Sequence, residues 1–171
     1  MIKLTAFEGK DFDRLINWIP NEELLITIAG SQWSYPLTAR QLQLYLDNPN
    51  SHSFNIVETA LDRIIGHAEI LDASDGTCKI DKLLVDPSCR GKGFCVYIMR
   101  ELLRHAFEQL PVHTVELNVF DWNSAGIHCY EKSGFLFNHG KTQQFPVKAK
   151  TWTALNMTIT KEKFISSVIP V

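Results

Sequence analysis

The stretch of sequence that decides the fold is residues 83–103, LLVDPSCRGKGFCVYIMRELL. An apolar strand pattern ends at Val85, a turn with two glycines follows, and an amphipathic helix is predicted from Phe94 to Leu110. Glycines let backbone N–H groups point into one concavity, and the first turn of a helix leaves N–H groups unpaired under partial positive charge. The segment therefore predicts a strand–turn–helix unit whose turn binds a phosphate, with Arg90 and Lys92 at its rim.

Two other phosphate-binding motifs are excluded at this turn. A Walker A loop would end in Gly-Lys-Ser or Gly-Lys-Thr, which the segment lacks. The glycine spacing also differs from the dinucleotide-binding fingerprint. From this segment alone, an ordinary strand-to-helix turn with two solvated cations remains the alternative.

The rest of the chain predicts strands on both sides of this central helix. Alternating or continuous apolar runs indicate strands, and apolar residues three and four apart indicate helices. The predicted strands are Ile2–Phe7, Ser53–Glu58, Arg63–Leu71, Thr77–Val85, His113–Phe120, Phe135–Phe137 and Thr151–Ile159. The other predicted helices are Asp11–Ile19, one capped by Thr38 and running through Leu46 with Gln41 as capping-box partner, and Ser124–Lys132 closed by Gly134. This order predicts an α/β (α+β) domain with a mixed central sheet flanked by about four helices.

Composition limits the classes of protein that the chain can be. Its 171 residues fit one domain, so we expect a single domain over residues 1–171. The formal net charge of −2 argues against a nucleic-acid partner. The N-terminus does not resemble a signal peptide and no apolar stretch could span a bilayer, so we expect a cytoplasmic protein without a membrane partner. The four cysteines show no metal-binding spacing, which predicts no metal site, and we expect them to be reduced.

A second motif lies at residues 121–135, DWNSAGIHCYEKSGF. Asn123 is a good helix N-cap, and Tyr130 lies about two helical turns later, so both side chains can face one side. Together, the two motifs resemble those of the GNAT acetyltransferase family. The first family pattern is Gln or Arg, two residues, Gly, one residue, then Gly or Ala, and Cys95 stands at its last position. The second is N-x-x-A-x-x-x-Y-E-K-x-G-F, in which Gly126 replaces the usual Ala.

The resemblance implies the GNAT fold and acetyl-coenzyme A as co-substrate. In the family, the preceding strand binds the pantetheine arm, the glycine turn binds the pyrophosphate, and the second motif contacts the cofactor and places a Tyr near its sulfur. Tyr130 would then act as general acid toward the departing thiolate. By resemblance, the cofactor-binding residues are Leu83, Leu84, Val85, Arg90, Gly91, Lys92, Gly93, Phe94, Cys95, Asn123 and Tyr130.

The general base and the acceptor pocket are less defined. Many family members carry a Glu five residues before the motif's Asn, but Asn118 stands there and cannot act as a base. The candidates that remain are Glu116 and Glu69, with Asp81, His67 or a base acting through water as further alternatives. In the family the loop between the first two helices walls the acceptor pocket. Here that loop is residues 30–38, GSQWSYPLT, which makes Trp33 and Tyr35 the expected substrate-binding residues.

These residues predict an acetyl-CoA-dependent N-acetyltransferase that transfers an acetyl group to a primary amine by direct attack. The alternative is a binding module of the same fold that senses acetyl-CoA without turnover, favoured by the absence of the strand Glu. A small-molecule or peptide amine is the expected partner, and a homodimer is an open alternative. Whether the apolar tail, residues 164–171, packs on its own domain or on a partner is also left open.

Overall fold

The computed structural model describes residues 1–168 of the chain. Within them are seven strands and six α-helices. The strands are β1 (Ile2–Ala6), β2 (Ser51–Glu58), β3 (Arg63–Asp72), β4 (Thr77–Val85), β5 (Thr114–Phe120), β6 (Leu136–Val147) and β7 (Lys150–Thr160). The helices are α1 (Phe12–Asn17), α2 (Glu22–Ala29), α3 (Ala39–Leu46), α4 (Phe94–Gln109), α5 (Ser124–Lys132) and α6 (Lys161–Val168).

The strands hydrogen-bond in the order β1-β2-β3-β4-β5-β7-β6. The β4–β5 pairing is parallel, whereas β1–β2, β2–β3, β5–β7 and β6–β7 are antiparallel. The sheet is therefore mixed, which confirms the predicted fold class. The expected number of about four helices is too low, because α2 and α6 were not predicted.

The chain divides into two compact units that share β4. The first unit comprises Met1–Leu71 and Asp81–Phe94, and the second comprises Asp72–Ile80 and the chain from Cys95 onward. That the whole chain behaves as one domain stays a prediction. Among residues 1–168, no helix is long and apolar enough to cross a membrane.

In the first unit, α1, α2 and α3 bury their apolar faces in one core. Asn21 caps α2 through a bond from the Leu24 N–H to its side chain (2.8 Å), and Thr38 caps α3 as predicted. Because α2 intervenes, the loop at residues 30–38 lies between the second and third helices, not the first two. The buried core residues are Phe7, Phe12, Leu15, Ile19, Leu25, Ile28, Ala29, Trp33, Leu37, Leu42, Tyr45 and Leu84.

The predicted capping box at Thr38 is wrong in its second half, because the Gln41 side chain donates to Thr38 Oγ1 (3.4 Å) instead of accepting from the Thr38 N–H. Its Oε1 accepts from the Ser34 N–H (2.9 Å), and its Nε2 donates to the carbonyls of Ser34 (3.0 Å) and Pro36 (3.2 Å). These bonds satisfy the backbone of a loop that has no sheet partner of its own. Gln41 therefore fixes the shape of the loop at residues 30–38.

In the second unit, α4 and the β5–β7–β6 strands supply the core. The buried residues of α4 are Ile98, Met99, Leu102, Leu103, Ala106 and Phe107. The final hairpin is longer than predicted, and β7 leads directly into α6, where the Phe164 ring lies 5.5 Å from that of Phe107. The first part of the apolar tail thus contacts its own chain, and residues 169–171 lie outside the described part.

Gly66 in β3 should be intolerant of a side chain. A Cβ placed there would lie 2.7 Å from the Leu84 carbonyl oxygen of β4, a backbone atom that cannot rotate away. We expect Gly66→Ala to lower the free energy of unfolding by about 1–3 kcal/mol, measured by chemical denaturation.

The matched control is Gly9→Ala, since a Cβ there would meet nothing within 4 Å. Equal stability of the two variants would contradict the close approach of β3 to Leu84.

Candidate active site

The glycine turn between β4 and α4 has the backbone geometry expected of a phosphate site. Gly91 and Gly93 have φ of 71° and 78°, a left-handed conformation that favours glycine, and α4 begins at the next residue, Phe94. A Cβ built at either glycine would meet nothing within 4 Å, so the space above the turn is open. An anionic group can therefore approach the backbone N–H groups and the N-terminus of α4.

Two side chains hold this turn in place. The Asp86 carboxylate accepts from the Ser88 N–H (2.8 Å), which fixes the short 3-10 turn at Pro87–Cys89. The Nε of Arg90 donates to the carbonyl of Val85 (3.0 Å). This bond ties the Arg90 guanidinium to the end of β4, beside the glycines, where it adds positive charge to the turn.

The segment of β4 before the turn departs from regular strand geometry. Lys82 has φ of 48°, which is uncommon for a residue other than glycine and marks a local irregularity. The parallel pairing of β4 with β5 covers Thr77–Lys79, and Leu83, Leu84 and Val85 lie beyond it. The pantetheine-binding role that the resemblance implies for these three residues stays a prediction.

The second motif folds as its sequence predicts. Asn123 caps α5 by accepting from the Gly126 N–H (3.0 Å), and Gly134 has φ of 94° after the helix ends. A Cβ at residue 126 would lie 2.7 Å from the Asn123 side chain. Glycine at this position, where the family has Ala, avoids that close contact. Tyr130 is half-buried, with its ring 6.2 Å from that of Phe135. Its catalytic role stays a prediction.

The expectation that all four cysteines are reduced is wrong for two of them. Cys95, in the first turn of α4, forms a disulfide with Cys129 of α5, across 34 residues of sequence. Cys78 and Cys89 are free and buried, and burial raises the pKa of the Cys78 thiol to about 12. Cys95 therefore stands at the motif's small-residue position as half of a covalent link between the helices of the two motifs.

Glu116, the candidate base on β5, is engaged in an ion pair. Both of its carboxylate oxygens accept from the Lys141 ammonium, at 2.9 and 2.7 Å. The buried Asn156 donates to Glu116 (3.4 Å) and to the Asn118 side chain (2.9 Å). Glu116 and Asn118 are thus joined through one amide, and the ammonium of Lys141 stabilises the ionised form of Glu116 on both oxygens.

Glu69, the other candidate base, is 1% exposed and pairs with Lys82, which was not predicted as a site residue. Its Oε2 accepts from Lys82 Nζ (2.5 Å), and its Oε1 accepts from the Ser51 hydroxyl (2.5 Å). Both oxygens are therefore occupied. Asp81, a further candidate, accepts from Gln32 Nε2 (2.8 Å).

His67 is a poor base at neutral pH. It is 1% exposed and its Nε2 lies 3.2 Å from the Tyr45 hydroxyl. Burial, followed by repulsion from Lys82 and Arg14, lowers the pKa of His67 to about 3. Burial also raises the pKa of Tyr45 well above its usual value, and the Glu69 carboxylate adds to that rise. The two rings therefore form a neutral pair.

A cleft of about 260 Å³ opens in the first unit. Trp33, which is 7% exposed, lies on the wall of the cleft, with its ring 5.2 Å from that of Tyr45. Tyr35 is 43% exposed, donates from its hydroxyl to the Pro20 carbonyl (2.9 Å) and does not line the cleft. The lining residues are Gln32, Trp33, Gln41, Leu44, Tyr45, Asn48, Glu69, Leu71 and Lys82.

A family model described as the acetyltransferase (GNAT) family matches residues 18–135, a segment that contains the glycine turn, the second motif and the cleft. The chain belongs to the GNAT family. The resemblance inferred from the two motifs is thereby confirmed.

The GNAT relatives include enzymes that act on polyamines and aminoglycosides. A spermidine N(1)-acetyltransferase of Vibrio cholerae is 24% identical over 112 residues, which cover 65% of this chain and 65% of that protein. An aminoglycoside N(6')-acetyltransferase type 1 of Klebsiella pneumoniae is 26% identical over 133 residues, covering 75% and 66% respectively. The chain thus matches slightly less than two thirds of the length of each.

Solved structures support the same fold. A crystal structure of the Vibrio cholerae spermidine N-acetyltransferase, in complex with CoA and spermine, superposes with a TM-score of 0.82 at 20% identity, covering 96% of this chain and 98% of that one. Another structure of that enzyme is described as dodecameric. At this level of identity, the likeness establishes the fold.

Sequence reasoning missed Lys82, although a signal was present. Side chains of β4 alternate between buried and less buried positions, and the buried positions include Cys78, Ile80 and Leu84. Lys82 falls in the same register, where an apolar residue is expected. A lysine at such a position needs compensating partners, and that requirement could have directed attention to Glu69.

His67 should make stability depend on pH. Its pKa is about 3 in the folded chain and about 6.5 when unfolded, so the unfolded state binds the extra proton between these values. The contribution to stability is fully present above pH 6.5 and is lost as the pH falls toward 3. We expect the free energy of unfolding to fall by up to about 1.4 kcal/mol per pH unit in this window.

His67→Gln should remove the part of the pH dependence of the free energy of unfolding that His67 contributes. His128→Gln, at an exposed position of α5, should keep it. Denaturant titrations at several pH values check this. An unchanged slope in His67→Gln would show that His67 is not held neutral by the fold.

Proposed function

We propose that this chain is an acetyl-CoA-dependent N-acetyltransferase that acetylates a primary amine by direct attack. The open glycine turn at the N-terminus of α4 is the observation that carries the proposal, because it can take the phosphates of coenzyme A. Family membership and the polyamine- and aminoglycoside-acetylating relatives support it. A homodimer and a cytoplasmic location stay predictions.

The cofactor would be held by residues of both motifs. Gly91, Gly93 and the first turn of α4 would bind the pyrophosphate, with Arg90 and Lys92 adding charge. Leu83–Val85 would bind the pantetheine arm through backbone groups. Acetyl-CoA would supply the acetyl group as a thioester, and the acceptor amine would take it with release of the thiol.

Three side chains would act as the general acid, the general base and the counter-charge of Lys82. The Tyr130 hydroxyl would donate a proton to the departing sulfur. Glu116 would take the proton from the amine, either directly or through water, as its bond to Lys141 loosens. Glu69 would act by neutralising Lys82, since both of its oxygens are occupied. Trp33 would contact the acceptor in the cleft.

A binding module without turnover is the second candidate function. It is favoured by Asn118 at the position of the family's strand Glu and by the ion pair that engages Glu116. Thiol release from acetyl-CoA across a panel of amines separates the two functions. Release with at least one amine supports the enzyme, and binding of acetyl-CoA without release supports the module.

Acetyl-CoA should stabilise the folded chain. At a concentration near 100 times the dissociation constant, the gain should be about 2.7 kcal/mol, read as a rise in the melting temperature. Gly93→Val should abolish the rise, because its side chain would occupy the space above the turn and strain the left-handed backbone.

Gly9→Ala serves as the control and should keep the full rise. No rise for the unmodified chain would show that acetyl-CoA does not bind, and a full rise for Gly93→Val would place the cofactor elsewhere.

Tyr130→Phe should lower kcat by about 10²–10⁴-fold while changing acetyl-CoA affinity little, because the hydroxyl acts in the transition state and the ring still packs. Steady-state kinetics and a thermal shift with acetyl-CoA measure the two effects. Tyr97→Phe, at an exposed position of α4, is the matched control.

A kcat within about threefold of the unmodified enzyme would make the Tyr130 hydroxyl dispensable as a proton donor. Lost acetyl-CoA binding with normal kcat would instead make it a cofactor contact.

A further inference from the structure

The ammonium of Lys82 is buried at the edge of the cleft. The Lys82 side chain is 2% exposed, although lysine is almost never this buried unless it is paired. Its Nζ donates to Glu69 Oε2 (2.5 Å) and Gln32 Oε1 (2.7 Å), and lies 3.8 Å from Asp81 Oδ2. The charge is thus met by a carboxylate, an amide oxygen and a second carboxylate.

Two aromatic rings complete the surroundings of this ammonium. Lys82 Nζ lies 5.5 Å from the centre of the Trp33 ring and 5.2 Å from that of Tyr45, both within cation–π range. A carboxylate beside aromatic faces is the chemistry by which proteins recognise the ammonium group of a ligand. Here the chain's own lysine occupies that arrangement.

The two charged side chains that line the cleft are paired with each other, and the second carboxylate near Lys82, that of Asp81, is not part of the lining. The lining holds one carboxylate, Glu69, and one ammonium, Lys82. Gln32 is also committed, since its Oε1 accepts from Lys82 and its Nε2 donates to Asp81. The lining therefore offers no uncompensated carboxylate for a second ammonium on the acceptor.

The remaining lining favours an uncharged group. Leu44 is 65% exposed, Leu71 is partly buried, and the Trp33 ring contributes an apolar wall. Gln41 is taken up by the loop at residues 30–38. The Asn48 amide oxygen, which accepts from the Asn50 N–H (3.0 Å), is a neutral acceptor. An alkyl or other uncharged chain can contact these surfaces, whereas an ammonium there would lose water without gaining an opposite charge.

We propose that Lys82 fills the ammonium site of the cleft from within, so that the acceptor is an amine with an uncharged tail and not a polyamine. This inference rests on the proposed function and names the acceptor class for the same site. It separates this chain from the spermidine- and aminoglycoside-acetylating relatives that it resembles.

Removing the internal cation should reverse this preference. Lys82→Met keeps a side chain of similar length but leaves Glu69 buried without its cation, a strongly destabilising arrangement. The second ammonium of a diamine could then take the place of Lys82. Lys82→Met combined with Glu69→Gln removes both charges and should restore the preference for an uncharged tail.

The test compares 1-aminopentane with 1,5-diaminopentane, which differ by one terminal ammonium at equal chain length. We expect the unmodified enzyme to show a kcat/KM at least about tenfold higher for the monoamine. In Lys82→Met, the diamine should become the better substrate by about tenfold and should raise the melting temperature more than the monoamine does. The double variant should again prefer the monoamine.

Three results would overturn the proposal. The first is an unmodified enzyme that has the higher kcat/KM for the diamine, or whose melting temperature rises equally with the two amines. The second is a folded Lys82→Met variant with no gain for the diamine. The third is a preference of the double variant for the diamine. If Lys82→Met alone does not fold, the amine preference of the double variant still tests the proposal. Absence of thiol release with every amine tested counts against the proposed function, while the thermal shifts still test the role of Lys82.

Discussion

A buried ammonium has to be neutralised, and much of the first unit is arranged around that requirement at Lys82. Glu69 reaches it from β3, Gln32 and Trp33 from the loop after α2, and Tyr45 from α3. An isolated charge in this position would cost several kcal/mol, so each of these elements is constrained by the same ion. The interaction therefore fixes the wall of the cleft as well as the balance of its charge.

The same constraint extends inward through the aromatic residues. The Tyr45 hydroxyl lies 3.2 Å from His67 Nε2, and the His67 ring is 4.5 Å from that of Phe7. Because Lys82 is cationic, a second cation at His67 would be repelled, which agrees with the lowered pKa of that imidazole. Burial first, and repulsion from Lys82 second, thus keep His67 neutral, although histidine is a residue type that suits base catalysis.

Sequence patterns predicted the fold well where each element carries its own signal. The bounds of β4 and α5, the cap at Thr38 and the glycine turn follow from alternation, capping and φ preferences that are local. Helix α2 was missed although Asn21 supplies a local cap, but the side-chain pairings that the sequence did not predict depend on partners distant in the chain. Glu69 meets Lys82 across strands, Glu116 meets Lys141 over 25 residues, and Cys95 meets Cys129 over 34. No periodicity specifies such pairings, because they arise when the sheet brings separate segments together.

The disulfide links the helices of the two motifs covalently. Cys95 lies one residue after the start of α4, and Cys129 immediately precedes Tyr130, so the bond joins the helix that follows the phosphate turn to the helix of the proposed acid. Closing a loop of this length restricts the unfolded chain by about 3–4 kcal/mol in the chain-entropy model. A catalytic hydroxyl must be held within a fraction of an ångström of its productive position, and a covalent bond at the adjacent residue restrains the backbone that carries it. In this chain, therefore, the residue that departs from the family's small-residue pattern also constrains the helix on which the proposed proton donor lies.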